Sequence, residues 1–353
     1  MGGAPAIDMR IDRRVERRTV GSKGVTCVSP PGEILIGMDV GGTSTRIVAL
    51  DRDLDVVGFV RLPGYATADA SGLSPLPLMS EALGELAKGA RRVKIKVNLA
   101  GENAGQVEAA IRRAVPSATI EIFRETTGEI ALFLGTLFGC DVVVLVGTGS
   151  VALGRDGAGR RWVAGGMGPS LSDEGSGYWI GHQAIRHTLK ALDRLDSGDL
   201  LIDVPEADGS PADFDAAVAN RVLLRTRLEG MTRDEVAALA GSVVAKARAG
   251  SPAARELLSR AGAELADLAF RVATALDLKP PVRVLYTGGL VHAWDLLSPS
   301  ITASLSRRGV FEVRHAALSG GLAVAAALFA ESGVSERELV AIDGEVAAHQ
   351  GFS

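Results

Sequence analysis

The sequence predicts an α/β protein made of two copies of one unit, with extra helices in the second copy. Three observations lead to this prediction. The chain has 353 residues, which is long for a single core and typical of two domains. Short apolar runs alternate with stretches of helical periodicity. A strand, a turn of glycine and hydroxylated residues, and a return strand occupy 34–50, and the same arrangement recurs at 142–153.

The first copy has the order βββαβαβα. Its opening strands are separated by polar turns, and its fourth strand alternates lysine with valine and isoleucine, as a strand with one polar face does. The predicted elements are strands at 34–39, 45–51 and 56–62, a helix near 77–88, a strand at 91–100, a helix near 103–114, a strand at 118–123 and a helix at 127–138.

The pattern restarts at Asp141 with the buried strand VVVLVG. Thr232 with Glu235 predicts a capping box in the helical stretch that follows, and Ser251 before Pro252 predicts another helix start. The predicted elements are strands at 142–147, from 151 and at 161–164, helices from about 175 to 277, a strand at 282–286, a helix, a strand near 310–313, and helices at 318–332 and after 335.

Four segments follow from these patterns. MRIDRRVERR at 9–18 is rich in arginine and has no sustained apolar face, which favours a disordered extension, with a basic arm that contacts a partner as the alternative. The segments are a basic N-terminal extension at 1–31, a first unit at 32–139, a second unit with a helical insertion at 140–335, and a C-terminal helix and tail at 336–353.

Composition excludes several classes of protein. Hydrophobic residues make up 47% of the chain and charged residues 23%, and the net charge of −4 gives no basic field for nucleic acid. The apolar runs are too short to span a membrane, and the N-terminus has no secretory apolar region. Two cysteines cannot form a disulfide framework. We therefore expect a soluble cytoplasmic protein.

The two repeated turns have the chemistry of anion sites. Glycine lets a backbone approach a ligand closely, successive N–H groups form a nest for an anion, and threonine and serine add hydroxyl donors. Two matched turns predict a clamp for a di- or triphosphate, and Asp39 beside the first could hold Mg²⁺. Two ordinary tight hairpins, with Asp39 as a capping residue, are the alternative.

Two further segments are rich in glycine. In GGMGPSLSDEGSGYWIG, at 165–181, Asp173 and Glu174 precede a predicted helix, so they either cap it or contact a polar substrate or metal. In YTGGLVHA, at 286–293, a strand meets a helix through two glycines, which suits a flat ring or a phosphate. Other nucleotide signatures, G-x-x-x-x-G-K-[ST] and G-x-G-x-x-G, are absent from the sequence.

Together these segments resemble the sugar kinase and actin superfamily of ATPases, and within it the BadF/BadG/BcrA/BcrD ATPase family, which includes N-acetylglucosamine kinase. IGMDVGGTSTRIVALD looks like the first phosphate motif, VGTGSVALG like the second, and TGGLVHA like the adenosine motif. GMGPSLSDEGSGYWIGHQA is similar to the glycine-rich loop of the kinase members. The resemblance runs from about 33 to 332 and implies two RNase H-like lobes that close on ATP·Mg²⁺ and a substrate.

The resemblance also implies roles for individual residues. Asp39 would organise Mg²⁺, and Asp173 would bind a hydroxyl group of the acceptor. Glu125 stands where kinase members have an aspartate that acts as general base. The residues expected to bind the nucleotide are Gly41, Gly42, Thr43, Ser44 and Thr45 in the first turn, Gly147, Thr148, Gly149 and Ser150 in the second, and Gly288 and Gly289 against the adenosine.

The sequence departs from both branches of the family. LPGYATADA, at 62–70, lacks the asparagine that holds the sugar in kinase members. The activator branch needs a cysteine in the conserved loops to hold an iron–sulfur cluster. The loop at 165–181 has no cysteine, and Cys27 and Cys140 lie elsewhere, so we expect no cluster.

Three functions are compatible with these features. The first is a kinase that transfers the γ-phosphate of ATP to a small hydroxylated acceptor such as an amino sugar or hexose, with Glu125 or Asp173 deprotonating the acceptor. The second is an ATPase that couples hydrolysis to a protein partner, and the third is a nucleotide-binding regulator without turnover. The resemblance further implies a homodimer, and the composition predicts no nucleic-acid or membrane partner.

Overall fold

The computed structural model describes residues 9–10, 32–64, 75–101, 103–125, 127–193, 199–203, 214–331 and 333–350. Apart from Met9–Arg10, the predicted extension at 1–31 lies outside the described residues. The chain divides into two compact units: Met1–Gly139 together with Leu318–Ser353, and Cys140–Ala317. In the described part, no helix is long and apolar enough to cross a membrane.

Strands and helices alternate largely as the sequence predicts. The strands are β1 (Met9–Arg10), β2 (Glu33–Val40), β3 (Ser44–Leu50), β4 (Val56–Pro63), β5 (Arg92–Leu99), β6 (Thr119–Arg124), β7 (Val142–Val146), β8 (Ser150–Arg155), β9 (Arg161–Gly165), β10 (Val282–Thr287) and β11 (Phe311–Ala316). The helices are α1 (Leu76–Leu86), α2 (Ala104–Ala114), α3 (Glu129–Leu137), α4 (Gly177–Asp193), α5 (Phe214–Glu229), α6 (Arg233–Arg248), α7 (Pro252–Ala275), α8 (Trp294–Ser306), α9 (Leu322–Leu328) and α10 (Glu336–Gln350).

The first unit contains a mixed sheet with the strand order β1-β4-β3-β2-β5-β6. Strands β2, β3 and β4 form an antiparallel meander, and β5 and β6 run parallel to β2. The parallel strands follow helical crossovers, as the right-handed βαβ connection requires. Buried isoleucine, valine and leucine side chains from both strands and helices form the core of this unit.

The second unit repeats this topology. Its strand order is β11-β10-β7-β8-β9, with β7 to β9 antiparallel and β10 and β11 parallel to β7. Apart from β1 at the edge of the first sheet, the strands have the same order and the same directions when read outward from β2 and from β7. The predicted duplicated α/β fold is therefore confirmed.

Helices enlarge the second unit between β9 and β10. Thr232 and Glu235 form the predicted capping box at the start of α6. Ser251 caps α7, which has Pro252 at its first position. Apolar residues of α7 lie in the core against β7, β8 and β10. The helical insertion thus packs on the second sheet.

The end of the chain belongs to the first unit. The sequence predicts that 318–335 belong to the second unit, whereas the structure groups Leu318–Ser353 with the first. A Cβ atom on Gly37 would lie 1.9 Å from the Ala323 carbonyl oxygen and 2.4 Å from the Ala327 amide. Because Gly37 has no side chain, α9 lies directly on β2. This long-range packing, which local patterns do not encode, moves the boundary.

Helix α9 is shorter than the predicted helix at 318–332. The backbone N–H groups of Ser319, Gly320 and Gly321 donate to the Asp343 carboxylate at 2.7, 2.7 and 3.0 Å. These residues therefore fold around a side chain of α10, and the helix begins only at Leu322.

Candidate functional site

The first predicted phosphate turn connects β2 to β3. The Gly41 amide donates to the Ser44 carbonyl at 3.1 Å, and the Gly64 amide donates to the Thr43 carbonyl at 3.0 Å. Thr45 lies within β3 and is only 2% exposed. The solvent-accessible part of the turn therefore runs from Gly41 to Ser44, and Thr45 belongs to the packed strand.

Asp39 lies near the end of β2 and its side chain is 18% exposed. Asn98 donates to its Oδ1 atom at 2.9 Å, and an Arg46 nitrogen lies 3.6 Å from its Oδ2 atom. Burial raises the pKa of Asp39, while the Asn98 hydrogen bond and the Arg46 charge lower it in part. The carboxylate is thus held in a defined orientation beside the turn.

Asp39 is one member of a polar row across the first sheet. The strand register pairs Asn98 with Asp39, Asp39 with Arg46, and Arg46 with Arg61 on four neighbouring strands. Partial burial and the nearby charge of Arg46 lower the pKa of Arg61. The other three members were not identified from the sequence. The available signals were a lone arginine among the apolar residues of β4 and polar residues within β3 and β5.

Glu125 directly follows β6 and is half-buried. Its amide donates to the Leu99 carbonyl at 2.8 Å, which continues the pairing of β5 with β6 for one residue. Since β2, β5 and β6 are adjacent and parallel, Asp39 and Glu125 lie at the same end of the sheet, on strands about 10 Å apart. Ligands of open α/β sheets bind at this carboxyl end.

The second predicted turn connects β7 to β8 and rests on the start of α4. The amides of Gly177 and Tyr178 donate to the Gly147 and Thr148 carbonyls at 2.9 and 3.1 Å. A Cβ atom on Gly147 would meet no heavy atom within 4 Å. The fold itself therefore does not require glycine there, and the position is open to a ligand.

Ser150 has a structural contact in the second turn. Its hydroxyl donates to the Glu174 carbonyl at 2.8 Å, and the residue is 3% exposed. The side chain thus joins the turn to the glycine-rich loop at 165–181.

The Asp173 carboxylate reaches the second turn and does not cap α4. Its Oδ2 atom accepts from Arg233 at 2.8 Å, and its Oδ1 atom lies 3.4 Å from the Ser150 amide. The residue is 1% exposed. Ser176 provides the cap, because its hydroxyl accepts from the Trp179 amide at 3.2 Å. Arg233 was not identified from the sequence.

Gly288 and Gly289 follow β10 and differ in the space available for a side chain. Gly288 has a φ of 112°, and a Cβ atom there would lie 2.4 Å from the Val146 carbonyl. The fold therefore requires Gly288 beside the second turn. A Cβ atom on Gly289 would meet nothing within 4 Å, so this position is open. A short 3₁₀ helix, Gly289–Ala293, leads into α8.

Each unit gathers its own share of the predicted residues. In the first unit, Asp39, the Gly41–Ser44 turn and Glu125 lie at one end of the sheet. In the second, Asp173 and Gly288 lie against the β7–β8 turn. No group of three or more His, Cys, Asp or Glu side chains that could hold a metal occurs among the described residues.

Comparison with known proteins identifies the family. The family model of the BadF/BadG/BcrA/BcrD ATPase family matches residues 36–330, which is most of the chain. The chain belongs to the BadF/BadG/BcrA/BcrD ATPase family. The resemblance predicted from the four motifs is confirmed.

Several relatives of this BadF/BadG/BcrA/BcrD ATPase family member are sugar kinases by name. An N-acetylmuramic acid/N-acetylglucosamine kinase of Clostridium acetobutylicum is 28% identical over 264 residues, 72% of this chain and 84% of that protein. An N-acetyl-D-glucosamine kinase of Dictyostelium discoideum is 31% identical over 188 residues, 46% of this chain and 56% of that protein. A Chromobacterium violaceum protein assigned as an N-acetylglucosamine kinase superposes with a TM-score of 0.58 at 27% identity, covering 85% of this chain and 99% of that one.

Proposed function

We propose that this protein is an ATP-dependent kinase that transfers the γ-phosphate of ATP to a hydroxyl group of an amino sugar or hexose, with N-acetylglucosamine as the first candidate. The named relatives support this reading. The observation that carries it is the end of the first sheet, where an oriented Asp39, a glycine turn and Glu125 lie together. We also propose a cytoplasmic location, in line with the use of ATP, and a homodimer, in line with the family resemblance.

Asp39 and the two turns are the proposed nucleotide-binding residues. Mg²⁺ prefers one or two carboxylates, phosphate oxygens and water over an all-protein cage, and a single carboxylate beside a glycine turn fits this preference. Bound Mg²⁺ would neutralise charge on the phosphates. Asn98 orients Asp39 for this role, since its amide holds one carboxylate oxygen at 2.9 Å. Backbone N–H groups of the turns would bind the phosphates, and Gly289 would contact the adenosine.

Glu125 is the proposed general base. It follows a strand end, as the base must when the acceptor hydroxyl lies at the carboxyl edge of the sheet. Asp173 is a weaker candidate, because both of its oxygens already have partners in the second turn and in Arg233. We therefore assign proton acceptance to Glu125 and keep Asp173 as a residue of the phosphate-binding turn.

Arg46 and Arg61 favour an acceptor that carries a negative charge. Asp39 offsets the charge of Arg46, whereas Arg61 has no carboxylate partner among the described residues. A guanidinium group binds a carboxylate through paired hydrogen bonds. An amino sugar with a carboxylate substituent, as in N-acetylmuramic acid, fits this row better than a neutral hexose.

The test is ATP consumption with Mg²⁺ across a panel of acceptors. The panel contains N-acetylglucosamine, N-acetylmuramic acid, glucosamine, glucose, other hexoses, polyols and serine, with a blank that lacks an acceptor. We expect one or both N-acetylated sugars to raise turnover far above the blank, with a phosphorylated sugar as product. Equal turnover with every acceptor and with the blank would overturn the kinase assignment.

An ATPase that acts on a protein partner is the second candidate. Its support is a row of exposed apolar residues on α5, Phe214, Val218 and Val222, spaced one helical turn apart. In the panel above, this function predicts a blank as fast as any acceptor. A protein partner that raises the rate of ATP hydrolysis in the blank would then establish this function.

A further inference from the structure

Two departures from local structural preference meet at Gly149. Asp173 has a φ of 69°, in the left-handed region that residues with a side chain seldom adopt. Arg233 is the first residue of α6, where the helix dipole disfavours a positive charge. Strained and unfavourable features of this kind concentrate at functional sites. Both side chains meet over the second phosphate turn.

Gly149 provides the space for this ion pair. A Cβ atom at this position would lie 2.8 Å from an Arg233 nitrogen and 2.9 and 3.0 Å from the two Asp173 oxygens. Any side chain on residue 149 would therefore push the two charged groups apart or away from the turn. The glycine of the motif thus serves the ion pair as well as any ligand.

The position of Asp173 creates an electrostatic difficulty for a phosphate site. Its side chain is 2% exposed, and one oxygen lies 3.4 Å from the Ser150 amide, a group expected to face the phosphates. A buried carboxylate without a partner beside this amide would repel a polyphosphate bound at the turn. Arg233 neutralises it at 2.8 Å and keeps 39% of its own side-chain surface exposed.

We infer that Arg233 is a positioning residue of the second phosphate turn: it holds the Asp173 carboxylate over Gly149 and cancels the charge that would otherwise oppose the polyphosphate of ATP. The inference rests on the proposed use of ATP. It assigns the loop at 165–181 and the start of α6 to the nucleotide site through one ion pair.

Nucleotides of different charge test this role. The dissociation constants of AMPPNP, ADP and adenosine are measured by calorimetry on the intact protein and on Arg233→Gln. We expect the constant for AMPPNP to rise about tenfold, that for ADP to rise less, and that for adenosine to stay within about twofold. Arg271→Gln is the matched control, because it removes a partly exposed Arg–Asp pair of 2.6 Å on α7.

The outcomes separate the proposals. Loss of adenosine binding equal to that of AMPPNP would mean that Arg233 only supports the fold, and no change in any constant would remove its role altogether. Either result overturns the inference and leaves the kinase assignment intact. An unmodified protein that binds none of the three nucleotides would instead overturn the proposed function, and the inference with it.

The double variant Asp173→Asn/Arg233→Gln tests the mechanism, and it leaves no unpaired buried carboxylate that would hinder folding. We expect its AMPPNP affinity to return to within about threefold of the unmodified protein. Affinity as low as in Arg233→Gln would mean that Arg233 acts on the phosphate directly, against the inference. If Arg233→Gln does not fold, Asp173→Asn replaces it, with unchanged or tighter AMPPNP binding expected and weaker binding as the contrary result.

Discussion

The two predicted phosphate turns have the same place in the fold, but the carboxylate beside each comes from a different kind of segment. In the first unit, Asp39 belongs to the strand that leads into the turn. In the second, the corresponding position is Leu145, and the carboxylate is that of Asp173, from a loop beyond β9. Each carboxylate has an arginine partner, Arg46 at 3.6 Å and Arg233 at 2.8 Å.

This difference shows what a duplicated fold conserves. The strand order and the turn are repeated, while the charged groups around them are supplied by whatever segment packs nearby. The residue after the last strand of each unit differs in the same way: Glu125 follows β6, whereas Ala317 follows β11. We therefore propose that the first unit supplies the general base and the metal-binding carboxylate, and that the second unit supplies a phosphate-binding turn.

Replacing Asp39 tests this division most strongly. Asp39→Asn should lower kcat about 1000-fold, because the variant loses the charge proposed to organise the metal and phosphates. Sugar phosphorylation is measured at saturating ATP and Mg²⁺. Asp53→Asn, an exposed acid in the β3–β4 turn, is the control and should leave the rate unchanged. An undiminished rate in Asp39→Asn would assign the metal to another residue.

Glu125 tests whether the first unit also holds the base. Glu125→Gln should lower kcat about 100-fold with little change in the KM for ATP, since only proton acceptance is lost. Glu125→Asp should retain part of the activity. The matched control is Glu121→Gln, an exposed residue on the same strand. Equal KM and kcat values in Glu125→Gln and in the unmodified protein would return the role of base to Asp173.

Two glycines of the second turn separate packing from ligand binding. Gly149→Ala should lower the free energy of unfolding by about 1–3 kcal/mol, because the new methyl group meets the Asp173–Arg233 pair. Gly147→Ala, where the space is open, should stay within about 0.5 kcal/mol and weaken nucleotide binding only. Thermal unfolding without nucleotide measures the first effect. Equal destabilisation by both would remove the distinction between them.

Arg61 tests the charge of the acceptor. Arg61→Gln should lower kcat/KM for N-acetylmuramic acid about fivefold relative to N-acetylglucosamine, because a partly exposed guanidinium contributes only modestly to binding a carboxylate. Arg52→Gln, which removes an arginine paired with Glu33, is the control. A loss that is the same for both sugars would place Arg61 outside the acceptor site.

Asp39→Asn should also stabilise the protein slightly, in contrast to its effect on activity. Burial raises the pKa of Asp39, so the ionised form is unfavourable in the folded state. The gain in the free energy of unfolding should be full above the folded-state pKa of Asp39. It should shrink as the pH falls through that pKa, and vanish below the ordinary carboxyl pKa. Chemical denaturation at several pH values measures it. A variant less stable than the parent at neutral pH would show that the Asn98 and Arg46 contacts outweigh burial.

Local sequence predicts much of this architecture. The hairpins, the repeated turn and the helix starts at Thr232 and Ser251 depend on neighbouring residues, and each appears as expected. Asp39 could also be identified from the sequence, since a charge at the end of an apolar strand is unusual. The family resemblance added the nucleotide and the sugar, which the residue pattern alone does not specify.

The contacts that define the sites are harder to predict from the sequence, because they join distant segments. Arg233 and Asp173 are 60 residues apart, and nothing in either segment points to the other. The row formed by Asp39, Arg46 and Arg61 exists only once the strand register is known. The same is true of α9, whose apolar sequence suits either sheet, while the missing side chain of Gly37 decides which one it covers.

The return of the chain to its first unit has a consequence for synthesis. Residues 140–317 form a contiguous unit, so on the ribosome this unit has its whole sequence available before the first unit does. The earlier segment must wait with the surface of Gly37 on β2 uncovered until α9 emerges. The half of the protein that is translated first is therefore completed last, and a chain that stops near residue 317 would leave an apolar sheet face for chaperones to bind.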